Sequence, residues 1–258
     1  MKTMDQPAFR PVRPDQPFLL ATDLDGTLLG DESVDPWLKM FVQQYEHCFH
    51  LAYVTGRRYK SVLQLVEDGH LPRPNYICSN SGTELFDFKD PQKGIGERFG
   101  AQVTSQWNLE EIYTLGEGLG VRRQEFLDDQ PRFSAGFHWD GDPKALADLK
   151  GRLIGREGYH ILASQGKFID VLPAALGKGN AVRFLQHELC LDSDRVVVAG
   201  DSGNDRLMFE TDFKGILPAN VLDELRIAAC QPWHYYSPFP AARGVLDGLC
   251  HFGFVIQV

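Results

Sequence analysis

The sequence predicts an α/β fold in which a parallel sheet wound by helices is interrupted by a smaller mixed unit. Three observations carry this prediction. Short, continuous apolar runs such as Phe18-Leu19-Leu20-Ala21, Phe49 to Val54 and Arg195 to Ala199 have the length and texture of strands buried on both faces. A polar turn and then a stretch of helical spacing follow most of them, and strand, helix, strand in that order calls for right-handed crossovers in one parallel sheet. Between about Leu85 and Ile169 the texture turns mixed and less apolar. The core is therefore read as Rossmann-like, in two segments at 18–84 and 170–258, around a mixed α/β insert at 85–169.

Residues 1–17 are polar, contain Pro7, Pro11, Pro14 and Pro17, and lack the apolar centre of a signal peptide, so they read as a flexible leader. The first strand, from Phe18, runs into Asp23-Leu24-Asp25-Gly26-Thr27. Ser33 to Tyr45 spaces Val34, Trp37, Leu38, Phe41 and Val42 helically behind Asp35-Pro36. Phe49 to Val54 is a second strand ending in Thr55-Gly56-Arg57, which opens a helical pattern through Val62, Leu63, Leu65 and Val66. Pro72 and Pro74 precede a third strand, Tyr76 to Cys78, followed by Asn80-Ser81-Gly82.

In the insert, Lys89 to Gly100 is turn-rich, Trp107 to Leu119 and Pro143 to Leu153 are helical, Gln124 to Trp139 holds two strands around Pro131, and Tyr159 to Ala163 is a strand. The aromatic line Phe133, Phe137, His138 and Trp139 is either sheet core or a wall that stacks on a sugar ring. The winding pattern returns at Phe168 to Val171. A helix at Asn180 to Leu189 follows Gly177-Lys178-Gly179, the strand Arg195 to Ala199 ends in Gly200-Asp201-Ser202-Gly203-Asn204-Asp205, and Gly215 to Leu217 is a further strand.

Composition narrows the function. At 258 residues the chain can bury a substantial core. A formal charge of -9 argues against a broad electrostatic grip on nucleic acid or anionic lipid, and no apolar run approaches a membrane span. A small polar ligand fits better; if it is anionic, a metal, a lysine or backbone amides must supply local positive charge. The five cysteines are scattered, odd in number and without C-x-x-C spacing, as expected of reduced thiols in a cytoplasmic protein.

The polar turns carry the chemistry. Asp23 and Asp25 lie two apart and leave the strand end in one direction, while Gly26 allows a sharp turn and close approach of a ligand. Two converging carboxylates suit a hard cation, and a carboxylate can attack phosphorus to give an acyl-phosphate. Each turn alone has a plainer reading. Asp23 to Gly26 could be a solvated turn, Thr55 a helix N-cap, Lys178 a surface charge and Gly200 to Asp205 an Asp-capped turn. Following strands of one parallel sheet, they converge at its carboxyl end, where ligands collect.

In that order the motifs D-L-D-G-T (Asp23 to Thr27), V-T-G-R (Val54 to Arg57), L-G-K-G (Leu176 to Gly179) and G-D-S-G-N-D (Gly200 to Asp205) resemble the four signatures of the haloacid dehalogenase superfamily of phosphatases. The insert matches the position of the large α/β (Cof-type) cap. Leu51 to Arg57, I-D-V-L-P at Ile169 to Pro173 and the tail A-R-G-V-L-D-G-L-C-H-F-G-F at Ala242 to Phe254 are similar to the sucrose-phosphate phosphatase family.

The resemblance implies an Mg2+-dependent phosphoric monoester hydrolase. Asp23 would be the nucleophile, Asp25 the general acid and then base, Thr55 a hydrogen-bond donor to phosphoryl, and Lys178 the group that neutralises charge and holds Asp23 ionised. Metal ligation is expected from the Asp23 carboxylate, the Asp25 backbone carbonyl and Asp201, with Asp205 either a ligand or a support behind the ligands. Thr55, Gly56, Asn80, Ser81, Lys178 and Asn204 are the expected substrate contacts, though Asn80 and Ser81 could equally serve as capping or turn residues. The expected substrate is sucrose 6-phosphate or a related disaccharide phosphate. Mannosylfructose phosphate, a hexose phosphate, phosphomutase chemistry and a non-enzymatic phospho-receiver or scaffold module are the alternatives. The chain is expected to be a monomer, with a sugar-phosphate synthase as a candidate partner and no nucleic acid or membrane partner.

Overall fold

The computed structural model describes residues 9–30, 36–103, 107–125, 130–153 and 158–257. The strands along the chain are β1 (Phe9–Pro11), β2 (Phe18–Thr22), β3 (Phe49–Val54), β4 (Tyr76–Ser79), β5 (Glu84–Asp87), β6 (Arg122–Arg123), β7 (Ala135–His138), β8 (Tyr159–Ser164), β9 (Phe168–Pro173), β10 (Val196–Ala199), β11 (Lys214–Leu217), β12 (His234–Tyr236) and β13 (Val255–Gln257). The helices are α1 (Pro36–Tyr45), α2 (Tyr59–Glu67), α3 (Ile95–Gly100), α4 (Leu109–Gly116), α5 (Pro143–Leu153), α6 (Lys178–Glu188), α7 (Arg206–Phe209), α8 (Asp223–Ala228) and α9 (Ala241–His251).

The main sheet has the order β12-β11-β10-β2-β3-β4-β5, parallel throughout except for the edge pair β4 and β5. From β2 the chain moves outward to β3 and β4 on one side and later to β10 and β11 on the other. The strand order therefore reverses at β2, and a crevice opens beyond its carboxyl end. Continuous apolar runs are required because both faces are covered. Phe18 and Leu20 pack with α1, α2 and α9, whereas Leu19 and Ala21 pack on the other face with α3, α6 and α8.

A second, antiparallel sheet, β6-β7-β9-β8, backs onto α4 and α5 through Ile112, Tyr113, Phe137, Leu149, Ile169 and Val171. This is the inserted α/β cap, with different edges from those expected. Phe168 to Val171, expected to re-enter the core sheet, pairs instead with β7 and β8, because a short apolar run does not reveal which sheet will bury it. At the other edge β5 joins the core sheet and α3 buries Ile95 and Phe99 against it, although Lys89 to Gly100 read as turns.

The leader also departs from expectation within its described part. Pro11 faces inward, and β1 pairs antiparallel with β13, with Phe9 only 3% exposed in the core. Residues 1–8, Ser33 to Asp35 of the expected first helix, and 126–129 of the expected strand pair lie outside the described residues. Among the described residues no helix is long and apolar enough to cross a membrane, and all five cysteines are unpaired.

Candidate active site

Strand register assembles the site. Thr22 stands opposite Ala199 of β10 and Tyr53 of β3, and Asp23 N–H continues the ladder onto the Ala199 carbonyl at 2.9 Å. The residues just past these strand ends, Asp23, Thr55 and Asp201, are thereby brought side by side. Thr55 N–H is anchored on Cys78 O at 2.9 Å.

Lys178, the first residue of α6, rises beneath them with no exposed surface. Its three ammonium hydrogens have three acceptors: Asp23 Oδ1 at 2.7 Å, Asp205 Oδ1 at 2.6 Å and Asn204 Oδ1 at 3.0 Å. Burial opposes the charge on Lys178, but Asp205 and Asp23 outweigh it and push the ammonium pKa up. Asp205 spends its other oxygen on the loop itself, accepting Asp201 N–H at 3.0 Å and Ser202 N–H at 3.1 Å.

One lysine does not neutralise this cluster. Burial first, and then the charge of Asp205, push the Asp23 carboxyl well above the ordinary range and the Asp201 carboxyl up to about 7. Asp23, Asp201 and Asp205 bring carboxylate oxygens within 4.8 Å of one another. An all-oxygen set with excess negative charge in a buried setting fits a hard divalent cation. Asp205 has both oxygens engaged, so the second oxygens of Asp23 and Asp201 are the ones left to bind it; Thr27 Oγ1 donates to Asp201 Oδ1 at 3.1 Å and fixes its orientation.

Asp25 is turned toward the solvent side, where Arg57 grips it with Nε on Oδ2 at 2.7 Å and Nη2 on Oδ1 at 2.6 Å. Above these groups lies a cavity of about 250 Å3. The core contributes Asp23, Asp25, Gly56, Arg57, Ser202 and Asn204, and the cap faces them with Gln124, Ser164, Gln165, Phe168 and Asp170.

Most of the expected site residues meet here, but two stand apart. Asn80 donates to Glu84 Oε2 at 2.6 Å and borders a different cavity, beside Arg58 and Tyr59. Ser81 acts at one remove, donating to Asp170 Oδ2 at 2.8 Å. Of the aromatic line, Phe133 and Phe137 are buried in apolar cores, Trp139 is partly buried with its Nε1 donating to Asp142 O, and His138 is exposed beside Phe168; none of the four borders the cavity, so the sheet-core reading holds for Phe133 and Phe137. Phe168 is the aromatic group that does. Arg57 stood in the V-T-G-R motif without an assigned role. The cap residues gave no motif, because what unites them is the fold of an antiparallel sheet over the core.

An aspartate-bearing loop at a strand end, a buried lysine, three clustered buried carboxylates and a cap over one crevice match a phosphatase of the haloacid dehalogenase superfamily, a phosphoric monoester hydrolase. The profile of sucrose-6F-phosphate phosphohydrolase matches residues 16–253, and the chain belongs to that family of sugar-phosphate phosphatases. It is 31% identical over 255 residues to mannosylfructose-phosphate phosphatase from Agrobacterium fabrum, covering 91% of this chain and 96% of that one. It is 33% identical over 246 residues to a glucosylglycerol-phosphate synthase from Pseudomonas anguilliseptica, covering 92% of this chain but 31% of that protein. The crystal structure of sucrose-phosphatase from Synechocystis, in complex with sucrose and phosphate, superposes with a TM-score of 0.83 at 27% identity, over 93% of this chain and 99% of that one.

Proposed function

We propose that the protein is an Mg2+-dependent phosphatase that hydrolyses the phosphomonoester of a disaccharide, sucrose 6-phosphate or a related glycoside phosphate such as mannosylfructose phosphate. The observation that carries this reading is the convergence of Asp23, Asp25 and Asn204 on one capped cavity with Lys178 directly beneath. Support for the substrate class comes from the two phosphatases named above, which act on two-sugar phosphates by name.

In this reading Asp23 attacks phosphorus and forms an aspartyl-phosphate, with the sugar oxygen leaving as Asp25 gives it a proton. Asp25 then takes a proton from water, which attacks the acyl-phosphate and releases phosphate. Asp25 gives up its Arg57 fork to make these transfers, so Arg57 acts as a holder that sets its resting orientation. Lys178 holds Asp23 in line and favours its ionised form against burial and the charge of Asp205, which a bound cation would offset further, and the Thr55 hydroxyl, whose oxygen already accepts Arg57 N–H at 3.1 Å, has its proton free for a phosphoryl oxygen. Mg2+ would be held by the carboxylates of Asp23 and Asp201 and the Asp25 carbonyl, and when bound it offsets charge on the phosphoryl oxygens. Asp205, saturated by Lys178 and two amides, serves as a support for that loop.

The cavity lies just under the ~300–1,000 Å3 usual for ligand sites, as expected of a cap drawn down over the core, so a two-ring substrate enters with the cap raised. Phosphate release from a panel of sugar phosphates, with Mg2+ and with chelator, tests the proposal. A disaccharide phosphate should be preferred and chelator should abolish turnover. A large preference for a hexose phosphate would remove the disaccharide assignment, and recovery of an isomerised phosphosugar in place of phosphate would favour a mutase. Asp23→Asn should fold and lose turnover; near-normal activity in that variant would refute the assigned roles.

A further inference from the structure

The cap hairpin between β8 and β9 reverses at Gln165 and Gly166, with φ of +56° and +60°, and Lys167 N–H closes the turn on Ser164 O at 3.1 Å. Two successive left-handed residues make the primed hairpin turn, whose first position favours asparagine or glycine. Glutamine is unfavourable there, and strain held at such a point is a pointer to function. Gln165 reaches the catalytic cavity, and among the described residues its side-chain amide makes no hydrogen bond.

The backbone of the same residue is gripped. Glu224 Oε1, on α8 of the core, accepts Gln165 N–H at 3.0 Å and Gly203 N–H at 2.8 Å. Gly203 lies between Ser202 and Asn204, both of which line the cavity. A single carboxylate oxygen thus ties the tip of the cap to the acidic loop of the core. The approach is tight enough that a Cβ on Gly203 would lie 2.4 Å from the Ala163 carbonyl of β8. Phosphoryl chemistry by Asp23 and Asp25 requires neither Gln165 nor Glu224.

We propose that Gln165 is a specificity-determining contact to the organic half of the substrate and that Glu224 is the positioning residue that holds it over the site. The inference rests on the sugar-phosphate reading of the cavity. A carboxamide offers a donor and an acceptor together, matching a hydroxyl-bearing ring. Bonds from backbone amides to a carboxylate are charge-assisted, and one that spans cap and core exists only while the cap is down, so it biases the equilibrium toward closure.

The full-length variants Gln165→Gly, Glu224→Ala and Glu224→Gln test this. For each, kcat/KM is measured on the sugar phosphate that the wild type prefers and on p-nitrophenyl phosphate, whose leaving group bears no hydroxyl in the ester. Gln165→Gly suits the turn and removes the amide; it should lower kcat/KM on the sugar phosphate by about tenfold or more, leave the aryl phosphate within about threefold and not lower Tm. Glu224→Ala should show the same split, and Glu224→Gln, which keeps an acceptor oxygen, should recover part of the loss. In substrate-free protein, hydrogen exchange at the 164–167 turn should quicken in Glu224→Ala. Equal losses on both substrates, or none on either, overturn the role of Gln165, and unchanged exchange overturns that of Glu224. A wild type active on the aryl phosphate and on no sugar phosphate overturns the functional reading instead, and the exchange result still decides the Glu224 hold.

Discussion

Gly26 is the residue on which the geometry of the acidic pair depends. Its φ is +81°, and a Cβ there would lie 2.3 Å from Asp201 Oδ2, the oxygen that Thr27 does not engage. Any side chain must displace Asp201. Gly26→Ala should therefore weaken Mg2+ activation and lower kcat/KM by about tenfold or more, because a shift of about 1 Å in a site group is costly; a Mg2+ titration of activity that matches wild type would count against this placement. Arg57 yields a second test. Replacing its planar fork by a point charge in Arg57→Lys should lower kcat by about tenfold with a smaller change in KM, since Asp25 loses its orientation while the cationic charge remains. At this scale the acids were legible because each ends an apolar strand in a recognisable turn. The Arg57–Asp25 fork was not, since those residues are neighbours only through the β2–β3 register. Asn80 lay in a correctly placed turn, yet its φ of +50° and its bond to Glu84 aim it elsewhere, which no motif records.

Among the elements, the pairing of β1 with β13 joins the first and last described strands beside the core. Phe9 packs into the same apolar cluster as Phe18, Phe49 and Val255, with the Arg243 guanidinium 5.5 Å from its ring centre. Phe9→Ala should cost about 3 kcal/mol or more, the range for emptying an aromatic site in a core, and should lower Tm with little effect on KM. An unchanged Tm would mean that the strand contributes nothing to stability. The sequence concealed this strand because three residues around prolines carry no periodicity, and its partner lies more than 240 positions away. The long helix Pro143–Leu153 and the strand Phe49–Val54 were legible to the residue, because the first has amphipathic spacing and the second is apolar on both faces. β9 was legible as a strand but not in its sheet, since alternation and apolar content are the same whether the partner is parallel or antiparallel.

At the scale of the whole molecule, folding gathers Asp23, Asp201 and Asp205 into one buried cluster with a single lysine on two of them, and the predicted consequence is a stability that depends on pH and on added Mg2+ together. In the metal-free protein burial, reinforced by Asp205, pushes the Asp201 carboxyl up to about 7 from an ordinary value of 3.8, and Asp23 moves in the same direction. An acid whose folded pKa is raised keeps its proton longer in the native state than in the unfolded chain. The native state therefore binds more protons between about pH 4 and 7, and this contribution is fully present below that window and lost as pH rises through it. Mg2+ bound at this cluster would act in the opposite sense: it would take the deprotonated carboxylates, release protons and gain affinity as pH rises. The rise in Tm on adding Mg2+ should consequently be small near about pH 5.5 and grow toward about pH 8. Asp201→Asn, which removes one carboxylate and its titration, should flatten the metal-free profile relative to wild type and abolish most of the Mg2+ effect. Thermal melts across that range, with Mg2+ and with chelator, measure both. A Mg2+ shift of equal size at every pH, or an Asp201→Asn profile parallel to that of wild type, would show that the three acids do not share a buried, cation-seeking site.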